Sequence, residues 1–352
     1  MTLRLRTILP FLLPLSLFAQ QSPPHPAPST VQLNVTVTGR SGKPVSGLTQ
    51  SSFTVLDNGS PQQILSFRAV QGPSSNPPVE VIVLVDTANA WVTSVAYERD
   101  QIREFLRKSG PTLPYPLSFI FFSDSGTEIQ RVPSRSTAAL LANLDQQVIR
   151  LHTIHRSSGF YGAAERLQLS LRTLDQIAAM EQKKPGRKLL LWISPGWPYL
   201  SGPDITLSPR DERSLFSSVV SFSNALQRSD ITLYSIDPLG VNGSQFRATF
   251  YKVFLKGVAS PKDVQSGNLS LQVLAEHSGG QVFHSGNDLT IAMAACLDDA
   301  SDFYVLTIPR APADSPDTLH VIQVKLPDPN LKARTISGYY AQPPVASPEG
   351  PR

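Results

Sequence analysis

The feature that most constrains this chain is a series of short, nearly continuous apolar runs, each ending at a polar or turn-forming residue. Four of them lie at 79–85, 117–122, 188–193 and 231–236. A run of this length and composition is typical of a strand buried on both faces, as in a parallel sheet covered by helices. The middle of the chain is therefore predicted to form an α/β fold with an open, doubly wound, mostly parallel sheet.

The segments between these runs have the 3.6-residue spacing of amphipathic helices. The longest lies at 160–181, where Leu167, Leu171 and Leu174 share one face. Further helices are predicted at 94–108 with Ser94 as the N-cap, and at 136–148, 211–228, 269–277 and 288–299. This alternation assigns residues 79–300 to one α/β domain.

Both flanks of that domain have β character instead. The segment 31–72 is predicted as an N-terminal β unit, because its first strand alternates apolar and polar residues and Asn58-Gly59 is a strong hairpin turn signal. The segment 301–341 is predicted to supply C-terminal strands. We expect the two sets of strands to pack into one small β-sandwich that the α/β domain interrupts.

The N-terminus resembles an export signal. Residues 1–19 contain two arginines, then an apolar run that ends at Phe18 and a small residue at Ala19, where cleavage is predicted. The run is too short for a membrane span. A proline-rich linker is predicted at 20–30 and a disordered tail at 342–352. We expect an exported protein in the periplasm, at the cell surface or outside the cell, with no stable membrane span after cleavage.

The sequence lacks the signals that are typical of several functional classes. The formal net charge is only +4 and the basic residues are scattered, so nucleic acid is not an expected partner. Zinc-ligand spacing, a nucleophile elbow and a glycine-rich phosphate loop are all missing from the sequence. The single cysteine, Cys296, is predicted to be a small buried apolar side chain. No enzyme is therefore expected.

The carboxyl ends of the strands form the ligand edge of a doubly wound sheet. At this edge the sequence predicts a binding surface made of Asp86, Asn89, Ser158, Trp197 and Tyr199. The two aromatic residues follow the run at 188–193, and exposed aromatic side chains are common binding anchors. The expected partner is a protein or a glycan.

The stretch at 86–90 (DTANA) resembles the D-x-S-x-S loop of von Willebrand factor A domains. That resemblance implies a Mg²⁺ ion held by the Asp, by two hydroxyls and by a Thr and an Asp from two other loops. Here Ala88 and Ala90 replace the two serines, Ser158 stands in place of the threonine and Pro195 in place of the second Asp. No metal and no cofactor are therefore expected.

More narrowly, the chain resembles the acidobacterial VWFA-related domain family of exported proteins. The phrases that carry the resemblance are VSGL at 45–48, DNG at 57–59, LYSID at 233–237, SGG at 278–280 and SGY at 337–339. The resemblance implies an exported, non-enzymatic interaction protein. Two alternatives remain open: a metal-dependent adhesion module with weak Mg²⁺ or Ca²⁺ binding through Asp86 and Ser158, and a hydrolase with an unrecognised site at the same edge.

Overall fold

The computed structural model describes residues 30–73, 78–90, 92–130, 132–148, 159–198, 207–238, 249–284 and 288–343. The strands are β1 (Thr30–Thr38), β2 (Thr54–Asp57), β3 (Ser60–Gln62), β4 (Ser66–Gln71), β5 (Glu80–Asp86), β6 (Thr112–Ser123), β7 (Gly126–Ile129), β8 (Ser134–Ser136), β9 (Lys188–Ile193), β10 (Ile231–Ile236), β11 (Val282–Phe283), β12 (Asp302–Pro309), β13 (Thr318–Lys325), β14 (Lys332–Arg334) and β15 (Gly338–Ala341).

The α-helices are α1 (Val92–Lys108), α2 (Thr137–Val148), α3 (Gly159–Glu181), α4 (Pro209–Arg228), α5 (Leu271–His277) and α6 (Leu289–Ser301). Short 3-10 turns lie at Gln50–Ser52, Tyr251–Phe254, Pro261–Asp263 and Ser266–Leu269. None of the helices in the described ranges has the length and apolar character needed to cross a bilayer.

The central sheet has the strand order β11-β10-β9-β5-β6-β7, and β8 also pairs with β6. Strands β5, β6, β9, β10 and β11 run parallel, whereas β7 and β8 are antiparallel to β6. The four apolar runs of the sequence form β5, β9, β10 and the second half of β6. The predicted α/β fold with a mostly parallel sheet is confirmed.

Helices cover both faces of this sheet. Because successive residues of a strand point to opposite faces, each central strand contributes side chains to two separate cores. Val81 and Val83 of β5 belong to one core with side chains of α1, α2 and α6. Ile82 and Leu84 belong to the other core, with side chains of α3, α4 and α5. Burial on both sides explains why the runs show no alternation of polar and apolar residues.

Strands from the two ends of the chain form two antiparallel sheets, β14-β1-β12-β4 and β15-β13-β2-β3. In the first sheet Leu33 of β1 lies opposite Leu306 of β12. These two residues share one apolar core with Val55 and Ile322 of the second sheet. In the β2–β3 hairpin, Asn58 and Gly59 have φ angles of 48° and 81°, as the turn signal in the sequence requires.

Arg187 joins these sheets to the α/β unit. Its side chain is 3% exposed. Its Nη1 donates to the carbonyl of Asp299 at 3.0 Å, its Nη2 to Oγ1 of Thr36 at 3.4 Å, and its guanidinium lies 4.5 Å from the ring centre of Phe303. Arg187 is thus a buried contact between the α/β unit and the antiparallel sheets.

Two local predictions were wrong. Helix α1 begins at Val92, so Ser94 is inside its first turn and is not the N-cap. Strand β6 begins at Thr112 rather than at 117, although Pro114 and Pro116 lie within it. The prolines are accommodated because the pairing of β6 with β8 shifts register between Thr112 and Leu117, where no regular ladder of N–H donors is needed.

Candidate functional site: the carboxyl edge of the central sheet

Four parallel strands finish together at one end of the central sheet, which we call the carboxyl edge. Asp86 is the last residue of β5 and Ser123 the last of β6. Ser194 and Asp237 directly follow β9 and β10. The topology therefore collects polar residues from distant parts of the sequence at the edge where such sheets bind ligands.

Asp86 is fully buried at this edge, and protein donors occupy both of its carboxyl oxygens. The backbone N–H of Asn89 donates to Oδ1 at 2.9 Å. Oδ2 accepts from Nδ2 of Asn89 at 2.8 Å and from Nε1 of Trp192 at 3.0 Å. Burial raises the pKa of Asp86, while these hydrogen bonds oppose the rise. The carboxyl group closes the turn after β5 and fixes the Trp192 indole.

The residues around Asp86 do not fit a hard divalent ion. Such an ion needs several oxygen ligands in near-octahedral geometry. Ala88 and Ala90, at the places of the two serines, are 1% and 0% exposed and have no side-chain oxygen. Both oxygens of Asp86 face N–H donors instead. Across the part of the chain that the structure describes, no three His, Cys, Asp or Glu side chains converge as metal ligands.

The predicted aromatic anchor Trp197 is buried, so that part of the predicted binding surface is wrong. Trp197 is 1% exposed, its Nε1 donates to the carbonyl of Leu269 at 2.7 Å, and its ring lies edge-on to Trp192 at 4.9 Å. The apolar core beneath α3 and α4 takes up the ring, because its burial removes a large apolar area from water.

The other predicted surface residues have different outcomes. Asp86 is also inaccessible, so it supports the edge from inside and cannot itself touch a partner. Asn89 is partly exposed, and its Nδ2 also donates to Oγ of Ser170 on α3 at 2.9 Å. Ser158 and Tyr199 lie outside the described residues, and their predicted roles stay predictions.

Glu98 of α1 is the residue that the sequence reasoning missed. It is fully buried, and neither carboxyl oxygen has a hydrogen-bond partner. Burial raises its pKa well above 4.5, and the nearby charges of Asp86 and Asp237 raise it further. The sequence does contain a signal for this burial, since Glu98 falls between Val95 and Ile102 on the apolar face of α1.

Among the described residues, Tyr161 is the most exposed large hydrophobic side chain. It lies in the first turn of α3, which starts at the carboxyl edge because the helix leads back to the start of β9. Its side chain is 87% exposed. The sequence places Tyr161 at the start of the helix predicted at 160–181, but the spacing of apolar residues there does not show that its side chain points outward.

Comparisons with known proteins give only remote similarities. No protein-family model matches the chain, and no curated protein matches its sequence. Among solved structures, proximal thread matrix protein 1 from the mussel byssus is 12% identical, with a TM-score of 0.34, and the match covers 69% of this chain and 50% of that one. This chain thus matches about half the length of that protein.

Two further structures are similar at the same level. Manganese-loaded TRAP protein of Plasmodium vivax is 10% identical, with a TM-score of 0.37, over 77% of this chain and 96% of that chain. The SpRpn10 VWA domain is 10% identical, with a TM-score of 0.25, over 45% of this chain and 73% of that chain. Structures similar to this chain therefore include a VWA domain, and no function can be transferred at these values.

Proposed function

We propose that this chain is an exported, non-enzymatic interaction protein of the von Willebrand factor A type, within the acidobacterial VWFA-related family, that binds a protein partner at its carboxyl edge without a metal ion. A glycan partner is the alternative within the same proposal. The observation that carries it is the Asp86 carboxyl group. It stands where the resembled family holds its metal, yet N–H donors of Asn89 and Trp192 satisfy it.

An internally satisfied Asp86 supports docking without a metal. Coordination would require the N–H groups of Asn89 and Trp192 to turn away and would leave these donors unpaired in a buried site, which costs about 1–3 kcal/mol per group. A bound ion would have to compensate that cost with few protein oxygens. Recognition at this edge then depends on the side chains and loops that reach solvent.

Tyr161 supports this edge as the contact surface. A tyrosine offers a rigid ring and a hydroxyl at low entropic cost, and tyrosines are enriched among the residues that dominate binding energy. The amide of Asn89 is held inside the protein, because its Nδ2 donates to Asp86 and Ser170 and its Oδ1 is buried. The proposed contact surface therefore depends on Tyr161, which is 87% exposed.

The proposal is tested by replacing Tyr161 with a photo-crosslinking phenylalanine in the full chain, expressed in its native host. We expect a discrete adduct that persists in EDTA. An excess of unlabelled wild-type protein should compete the adduct away, whereas an excess of the Tyr161→Ala variant should compete at least tenfold less well, as is typical for loss of a binding hot spot. Glycosidase treatment should remove the added mass of a glycan adduct and leave that of a protein adduct, which distinguishes the two partners.

Val132 supplies the matched control position. It is 75% exposed and follows β7, which runs back from the carboxyl edge toward the opposite end of the sheet. The same crosslinker at Val132 should not yield this adduct. Equal labelling from both positions would overturn the carboxyl edge as the contact surface, and an adduct lost in EDTA but restored by Mg²⁺ would overturn metal-independent binding.

A further inference from the structure

A cavity unrelated to the carboxyl edge lies where the α/β unit meets the antiparallel sheets. Its volume is about 110 Å³. Leu226 of α4 and Leu274 of α5 form one wall, and Leu319 of β13 and Tyr340 of β15 form the other. Segments more than 100 residues apart in sequence therefore enclose one space with largely apolar walls.

The cavity presents no formal charge. None of the described residues that line it is Asp, Glu, Lys or Arg. Its histidine, His277, is bound through Nε2 to the carbonyl of Leu255 at 3.0 Å. Burial lowers the pKa of His277, which keeps the ring neutral at pH 7. A charged ligand would lose its hydration here without a counter-charge, so the cavity selects against ions.

Polar groups in the lining fall into two sets. Asn268 and Ser278 are engaged, because the amide of Asn268 donates to the carbonyl of Phe254 at 3.1 Å and the hydroxyl of Ser278 donates to the carbonyl of Ala275 at 2.8 Å. Ser223 and Gln227, one turn apart on α4, also face the cavity, and neither side chain is hydrogen-bonded to another described residue.

His277 adds an acceptor. A carbonyl oxygen can only accept, so the Nε2 that contacts Leu255 carries the hydrogen. In the neutral ring the other nitrogen, Nδ1, is then an acceptor. The space thus combines apolar walls with a small number of polar groups able to exchange hydrogen bonds with a ligand, which is the usual composition of a small-molecule site.

We propose that this cavity is a binding site for a small uncharged ring compound that carries one hydroxyl group. An apolar cavity of roughly 150 Å³ in another protein takes up benzene, so a volume of about 110 Å³ limits the ligand to one ring with at most one small substituent. The ring packs against Leu226, Leu319 and Tyr340, and the hydroxyl bonds to Gln227 or Ser223. Because both units contribute walls, occupancy tightens the joint between them.

Phenol is the probe that tests this proposal, with the full-length protein and saturation-transfer NMR as the readout. We expect saturable binding with a Kd of about 1 mM, the range for a ligand of about seven non-hydrogen atoms. Benzoate, which has the same ring with a negative charge, should bind at least tenfold more weakly. At 10 mM phenol the Tm should rise by about 2 °C.

Two variants separate the cavity from other surfaces. Ser223→Phe fills the cavity and should abolish phenol binding, whereas Ser217→Phe on the exposed side of the same helix should leave it unchanged. If Ser223→Phe does not fold, Gln227→Leu serves instead. It removes one hydrogen-bonding group without adding volume and should weaken phenol binding about fivefold.

The proposal fails if phenol shows no saturable signal up to 20 times the expected Kd. It also fails if benzoate binds as tightly as phenol, or if Ser223→Phe and Ser217→Phe bind phenol equally. None of these results bears on the carboxyl edge, since the variants lie on α4 and line a separate space.

Discussion

Replacing Glu98 with Met is expected to raise the free energy of unfolding at pH 7 by about 1–3 kcal/mol. Glu98 is fully buried and neither of its oxygens has a hydrogen-bond partner, so the wild-type protein must desolvate a carboxyl group without compensation. Methionine has a similar length and adapts to irregular apolar surroundings. The substitution removes the polar group and fills most of the same volume.

The gain should grow with pH. Burial, followed by the charges of Asp86 and Asp237, holds the folded-state pKa of Glu98 well above 4.5. Between pH 4.5 and that raised value the folded protein keeps a proton that the unfolded chain releases. Wild-type stability therefore falls as pH rises through this window, by about 1.4 kcal/mol per pH unit. Glu98→Met lacks this dependence.

Urea unfolding at a series of pH values from 4.5 to 8 measures both effects. The matched control is Glu104→Met on the same helix, where the side chain is 47% exposed and pairs with Lys108. That change should alter stability by less than about 0.5 kcal/mol at every pH, because surface ion pairs contribute little. A destabilised Glu98→Met protein with an unchanged pH profile would show that Glu98 makes favourable interactions in the folded state.

Replacing Asp299 with Ala should destabilise the protein by about 3–5 kcal/mol, the usual cost of removing one partner from a buried ion pair. Asp299 is 1% exposed on α6. Its Oδ2 accepts from Nη2 of Arg334 at 2.7 Å, from the hydroxyl of Tyr234 at 2.8 Å and from Nε2 of Gln281 at 3.3 Å. Alanine leaves three donors without their acceptor, one of them charged.

Asp298→Ala is the control for this change, because Asp298 is the neighbouring residue on α6 and is exposed. It should shift the denaturation midpoint by less than the equivalent of about 0.5 kcal/mol. Guanidinium unfolding followed by far-UV circular dichroism compares the two variants. Similar midpoints for Asp299→Ala and wild type would mean that the Arg334, Tyr234 and Gln281 donors find other acceptors.

The sequence predicted the strands of the central sheet well because each of them is apolar over its whole length. Such runs leave few alternatives once helical spacing lies on both sides, and the parallel order follows from the crossovers. Boundaries depended on local pairing instead. Strand β6 extends over two prolines because β8 shifts register beside it, which no pattern in β6 itself reveals.

The candidate site was predicted less well, because residue type does not fix exposure. Trp197 follows a strand at the ligand edge, as an exposed anchor would, yet it is buried against Trp192. Tyr161 lies in a less conspicuous stretch and reaches solvent. Trp197 packs into the apolar core beneath α3 and α4, whereas Tyr161 lies in the first turn of α3 and points away from that core.

The sequence by itself determined the α/β class and the alternation of strands and helices, since these depend on the spacing of apolar residues along the chain. It also determined the lack of side-chain oxygens at Ala88 and Ala90, since this depends only on residue type. Only the tertiary structure decided that N–H donors saturate Asp86, that Glu98 is buried without a partner, and that a neutral cavity lies between α4, α5 and β13. Each of these depends on contacts between residues far apart in the chain, and the energy of a buried polar group depends on its neighbours.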